Sequence, residues 1–284
     1  MPISKSQIET WSKYQQLDIL KQTYDNINQS LSKFTLPNGK VINTYLQGSY
    51  GNSTHIYGKG DIDVVVKIKD QFYSNLSPNI KLSLINATYN PTDFFEDLYV
   101  HLKQYCSVDI VEKGTKTIKI SHKDGKKAVD VVACFEYRLY ENPNSIYSNY
   151  IEGVTLKNGV INYPKLHKEN GEIKMKNTNS MFKSYIRMFK NINKKLNTDN
   201  PEVNKWIPSY FIECLLYNLP DHLFETDLYS GFDKILDYLL DSNLQFNNFM
   251  CQNKILYLFG TESTQWSVEE CKLFISKIKK LCEN

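Results

Sequence analysis

Two apolar runs broken by acids constrain this chain more than any other feature: Asp61-Ile62-Asp63-Val64-Val65-Val66 and Ala128-Val129-Asp130-Val131-Val132-Ala133-Cys134-Phe135. Their density of β-branched residues predicts strands. Residues i and i+2 of a strand share a face, so Asp61 and Asp63 stand side by side while Ile62, Val64 and Val66 face a core. Two carboxylates so close repel each other, and desolvating either is costly without a counter-charge. For a bare Asp-x-Asp, a fraying strand end flanked by Lys59 and Lys67 is explanation enough. Asp130 shifts that balance, because nothing local explains a carboxylate in the middle of such a strand. A like-sided position on a neighbouring strand brings it beside the pair. Three carboxylates make a hard-oxygen site suited to Mg²⁺, with Mn²⁺ as a substitute, rather than to zinc.

Around these runs the pattern predicts an α+β fold. Apolar residues recur at Ile8, Trp11, Tyr14, Leu17, Leu20, Tyr24, Ile27, Leu31 and Phe34, the stripe of one long amphipathic helix over residues 1–35. Leu36-Pro37-Asn38-Gly39 then signals a turn. Strands are expected at Val41–Gln47, Ile62–Ile68, Val108–Val111, Thr117–Ser121 and Ala128–Tyr137, with a helix over Pro91–Tyr105 and a hairpin turn at Asp124-Gly125-Lys126. From Asn177 the periodicity becomes helical, over Met181–Leu196, Pro208–Tyr217, Tyr229–Leu240 and Val268–Cys282, with Pro201, Pro208 and Pro220 in the loops. The expected division is a bracing helix at 1–35, a sheet-bearing core at 36–176 and a helical lobe at 177–284.

No apolar run approaches the length of a bilayer span, and Met1-Pro2-Ile3-Ser4-Lys5 lacks the apolar stretch of a signal peptide. A cytoplasmic protein with no membrane partner is expected. The six cysteines form no C-x-x-C and read as buried thiols in a reducing compartment. Net charge is only +3, yet Lys157 to Lys195 holds ten Lys/Arg against Glu169 and Glu172. Such a block is either a solvated face or a surface built for phosphates.

The stretch Gln47-Gly48-Ser49-Tyr50-Gly51 lies twelve residues, counted from Ser49, ahead of Asp61. Glycine lets backbone N–H groups approach a triphosphate closely, and the serine hydroxyl adds a donor. Gly-Ser, a short helix, Asp-x-Asp on a strand and a later strand Asp together resemble the signature of the DNA polymerase β-like nucleotidyltransferases. More closely, the chain resembles the cGAS/DncV-like nucleotidyltransferases (CD-NTases) of bacterial anti-phage (CBASS) signalling, from Gln47 to about Tyr217, with the first helix matching the family's bracing helix. Phe182-Lys183-Ser184-Tyr185-Ile186-Arg187-Met188-Phe189-Lys190 looks like the family helix whose Arg-x-x-Lys, here Arg187 and Lys190, reaches the donor triphosphate; Lys183 is on the same flank. Pro208-Ser209-Tyr210 is similar to the family's Ser-Tyr, in which serine touches a phosphate and the ring stacks on a base. The His/Cys zinc insertion of the vertebrate DNA sensor is absent, and His167 reads as a rim or structural residue.

The resemblance implies a polymerase β-like mixed sheet with a C-terminal helical lobe, and a nucleotidyltransferase of the EC 2.7.7 type using two Mg²⁺ ions. Asp61 and Asp63 would hold both ions. Asp130 would hold the one nearer the attacking ribose hydroxyl and help to deprotonate it. Gln47, Gly48, Ser49, Lys183, Arg187, Lys190 and Ser209 would hold the triphosphate, and Tyr210 a base. The implied product is a cyclic dinucleotide made from ATP and GTP, such as a cGAMP isomer, read by an effector that binds the product rather than the enzyme. Duplex RNA or DNA is an implied activator along Lys5, Lys13, Lys21 and Lys33, extended by Lys194 and Lys195. Two other readings stay open: transfer to a tRNA, drug or protein acceptor, and a catalytically silent nucleotide-binding module.

Overall fold

The computed structural model describes residues 3–15, 18–36, 39–57, 60–81, 89–106, 109–122, 127–199 and 207–283. They fall into two units. One is made from Met1–Gln15, Asn52–Lys59 and Leu166–Asn284, the other from Gln16–Gly51 and Gly60–Lys165. The N-terminal apolar stripe is two helices rather than one, α1 (Lys5–Ser12) and α2 (Asp18–Leu31). Lys13 turns extended, with φ −68° and ψ 138°. The last carbonyls of α1 find side-chain donors instead of another helical turn: Asn191 Nδ2 donates to Trp11 O at 3.1 Å and Arg187 Nε to Ser12 O at 2.7 Å. Leu17, within the expected stripe, lies outside the described residues, as do Val108, the Asp124-Gly125-Lys126 turn and Pro201.

The Gln16–Lys165 unit is built on a mixed sheet of β1 (Ile42–Gln47), β2 (Ile62–Ser74), β3 (Ile110–Lys113), β4 (Ile118–Ser121), β5 (Val129–Tyr140), β6 (Tyr150–Leu156) and β7 (Ile161–Asn162). The strand order is β1-β2-β5-β4-β3, with β6 on β5 and β7 on β6. β2 and β5 run parallel, and the other pairings are antiparallel. Helices α3 (Gly48–Gly51), α4 (Pro78–Lys81) and α5 (Pro91–Tyr105) complete the unit with α2. The valine runs are continuous because both faces of the central strands are covered. Ile62, Val64, Val66, Val129, Val131 and Phe135 pack with Phe94, Phe95 and Leu98 of α5 and Ile27 of α2, whereas Val65, Val132, Cys134, Val154 and Leu156 form a smaller cluster. By strand alternation, Asp63 and Asp130 share the face of that smaller cluster.

The second unit gathers α1 with α6 (Pro164–Asn177), α7 (Phe182–Asp199), α8 (Ser209–Tyr217), α9 (Leu228–Leu240) and α10 (Val268–Glu283), α6 entering it from Leu166. Its core joins Ile8 to Phe182, Tyr185, Phe189, Phe211, Phe232, Leu236, Ile275 and Ile278. β6, β7 and α6 are elements that the sequence pattern did not announce. All six cysteines are free, five of them buried. No described helix is long and apolar enough to cross a membrane.

Candidate active site

Strand register lines up one row of side chains across four strands. Gln47 of β1 pairs with Asp63 of β2, Asp63 with Asp130 of β5, and Asp130 with Lys119 of β4. Partners in register face the same side of a sheet, so the two aspartates from distant parts of the sequence are neighbours. Asp61 leads into β2 two residues before Asp63, and its charge is felt at Asp130. Burial raises the Asp130 carboxyl above its ordinary value, Lys119 draws it down, and the Asp61 carboxylate pushes it up again. Thr117 Oγ1 donates to Asp130 Oδ1 at 3.3 Å. Lys119 and Thr117 were not anticipated. The alternation Thr117-Ile118-Lys119-Ile120 places them on one face, but only the register with β5 brings that face to the acids.

At the end of β1 the chain turns into α3 through Gly48, whose φ of +63° favours glycine. A Cβ there would overlap the Asp63 carboxylate, so glycine is required twice over at this position. The Ser49 hydroxyl lies beside Gly60, where a Cβ would meet it at 3.5 Å. Tyr50 is close enough to the acids to register them. Burial first, then the charges of Asp61 and Asp63, push its phenol up to about 12. Gly48→Ala is therefore expected to displace Asp63 by an ångström or so and lower the initial rate at least ~100-fold. Pyrophosphate release, read alongside a thermal melt, checks this.

Among the described residues, no three His, Cys, Asp or Glu side chains converge tightly enough to cage a metal ion as they stand. The donor set nevertheless fits a divalent cation. Asp63 and Asp130 are register partners, Asp61 acts on Asp130 electrostatically, and like charges gathered on one face call for a counter-charge. Carboxylate oxygens are hard ligands, which matches Mg²⁺ or Mn²⁺.

Several members of the basic block lie on neither a solvated face nor an open surface, since Lys174, Lys183, Arg187 and Lys190 are buried in the helical unit. Lys183 Nζ bonds Glu172 Oε1 at 2.5 Å. Arg187 donates to Ser12 O, to Ser53 O at 2.9 Å and to Ser184 Oγ at 3.1 Å. Lys190, 2% exposed, donates to Thr54 O at 3.2 Å, Thr54 Oγ1 at 3.0 Å and Glu213 Oε1 at 2.5 Å. The Arg-x-x-Lys pair thus fixes the segment Ser53-Thr54. Glu213 collects four donors, adding Asn52 Nδ2 at 3.2 Å, Thr54 Oγ1 at 2.6 Å and His167 Nε2 at 2.9 Å to Lys190. Burial alone would raise its carboxyl. Lys190 and His167 overcome that, and Glu213 titrates well below the usual carboxylate range. Ser209 opens α8 half-buried, and Tyr210 beside it stays 39% exposed.

A mixed sheet that sets two strand aspartates in one row beside a Gly-Ser turn resembles the sheet of the nucleotidyltransferases. A model of the cGAS/DncV-like nucleotidyltransferase C-terminal helical domain matches residues 169–283. The sequence is 38% identical to the cyclic UMP-AMP synthase of Rhodothermus marinus over 282 residues, 97% of this chain and 96% of that protein. It is 35% identical to the cyclic nucleotide synthase CdnE01 of Staphylococcus haemolyticus over 297 residues, 99% and 98% of the two chains. The solved structure of Rhodothermus marinus CdnE c-UMP-AMP synthase with Apcpp and Upnpp matches with a TM-score of 0.88 at 37% identity, covering 99% of this chain and 96% of that one. The chain belongs to the cGAS/DncV-like nucleotidyltransferases.

Proposed function

We propose that this chain is a divalent-metal-dependent synthase that joins a pyrimidine to a purine nucleotide, UMP to AMP, in a cyclic dinucleotide. The observation that carries the chemistry is the in-register row Gln47–Asp63–Asp130. The choice of bases rests on 38% identity, over nearly the whole length, to a cyclic UMP-AMP synthase; the expected pair of purines, ATP with GTP, is the alternative that product analysis separates from it. In this reading Asp61, Asp63 and Asp130 hold the cation. Bound there, Mg²⁺ would supply the charge that stabilises the attacking and leaving oxygens of a phosphoryl transfer. Asp130, in register with Asp63, is assigned to take the proton from the ribose hydroxyl. That hydroxyl attacks the α-phosphate in line, pyrophosphate leaves, and a second transfer closes the ring. Gln47, Ser49 and the room left by Gly48 serve the triphosphate. In the helical unit, Lys183, Arg187, Lys190 and Ser209 are assigned to phosphate, the Arg-x-x-Lys pair through its hold on Ser53-Thr54, and Tyr210 to a base. A cytoplasmic site of action in anti-phage defence, with an effector that reads the product, completes the proposal.

Incubation with all four labelled NTPs and Mg²⁺, followed by mass spectrometry, tests it. The expected product is cyclic UMP-AMP, lost when EDTA is added. A linear, elongating product removes the cyclase, a two-purine ring removes the base assignment, and EDTA-insensitive turnover removes the metal.

A further inference from the structure

The hydrogen-bonded hub at Glu213 extends to an aromatic pair that the sequence did not reveal. The His167 ring stacks on the Tyr210 ring, with centroids 5.2 Å apart and planes 24° from parallel. His167 itself is 5% exposed, and its Nε2 is pinned by Glu213 Oε2. Because Glu213 is held ionised, Nε2 carries the proton that it donates. At the phenol oxygen, Asn253 Nδ2 approaches Tyr210 Oη at 3.5 Å, and the Asn253 side-chain oxygen is itself held by Ile255 N and Leu256 N. Gln252 Nε2 donates to His167 O at 2.6 Å and Asn170 Nδ2 to Gln252 O at 2.8 Å, locking α6 to the same loop. A tyrosine with this much open surface has freedom to rotate unless something sets its plane. Here the buried His167 ring stacks on it, with the Trp266 ring 6.0 Å away and tilted 32° as a second neighbour.

We propose that His167 is a positioning residue for nucleotide recognition: pinned by Glu213, its ring fixes the plane in which Tyr210 receives a base. The proposal rests on the assignment of Tyr210 to base stacking. The ring, rather than the hydrogen bond, carries the effect. With the ring gone, Tyr210 has to be ordered when the base arrives, and immobilising one such side chain costs enough to weaken binding roughly fivefold.

Calorimetric titration of the full chain with Apcpp and with Upnpp, in the presence of Mg²⁺, tests this in three variants. His167→Gln keeps a donor for Glu213 but removes the ring, and is expected to weaken one of the two nucleotides roughly fivefold. His167→Phe restores the ring without the donor and is expected to bind within about twofold of the parent even where its melting temperature falls. Tyr210→Ala sets the scale. If Tyr210→Ala weakens binding and His167→Gln does not, the inference about His167 is overturned while the base assignment stands. Weak binding by His167→Phe at an unchanged melting temperature overturns it equally. If Tyr210→Ala binds like the parent, the base assignment falls, and His167 with it.

Discussion

Asp130→Asn is expected to abolish turnover, lowering the rate at least ~1,000-fold, equivalent to about 4 kcal/mol of transition-state stabilisation. The fold should survive. Burial and Asp61 make the charged form of Asp130 unfavourable in the folded chain, so a neutral isostere removes a penalty rather than a support. The sign is clear: a carboxyl raised on folding opposes stability above its unfolded value, and asparagine at neutral pH relieves that. Without divalent cation, the variant should melt at or slightly above the parent. Adding Mg²⁺ should raise the parent's melting temperature and leave the variant's in place, because a ligand stabilises only the state that binds it. Retained activity, or an equal Mg²⁺ response in both proteins, would remove Asp130 from the metal-holding set.

The largest stability effect is expected at Glu213, which lies 3% exposed with its four donors around it. Glu213→Gln leaves the Lys190 ammonium buried without its counter-charge. Breaking a buried pair from one side costs about 3–5 kcal/mol, or on the order of 10 °C in melting temperature for a chain of this size. Replacing both partners together, with Glu213→Leu and Lys190→Met, should recover part of that loss, since no charge is then stranded. Glu213 also gives the chain a signature in acid. A carboxyl lowered on folding contributes stability that is complete above its unfolded value and is lost as pH falls through its folded value. Urea melts between pH 7 and 5 should show no slope from this group. Below about pH 4.5 the parent should weaken progressively, and Glu213→Gln should lack that component.

The acids and the glycine turn were legible in the sequence because their explanation is local. An aspartate in a valine run is out of place wherever that run packs, and period-two alternation fixes its face. What no local pattern contains is register, which is why Lys119 and Thr117 appear beside Asp130 only in three dimensions. The helix α6 escaped notice for a different reason. Its inward residues are His167, Asn170, Gly171 and Lys174, a polar stripe at helical spacing that hydrophobic periodicity cannot detect. Lys190 and Arg187 were identified as a pair, but charge composition does not report burial, and both sit in the interior with partners of their own. The break between α1 and α2 was hidden because the apolar stripe continues across it. What ends α1 is a pair of donors from α7, some 175 residues further along the chain.

That separation bears on how the protein is made. The carbonyl of Ser12 is made well before the guanidinium that satisfies it, which follows 175 residues later, roughly 10–35 s at ordinary elongation speeds. Throughout that interval α1 lacks the surfaces of α7 and α9 that it packs against, so its place in the helical unit closes only after those helices are made. Nascent chains stalled before Arg187 should expose α1 to proteases, and a chaperone that shields amphipathic helices would find its substrate there.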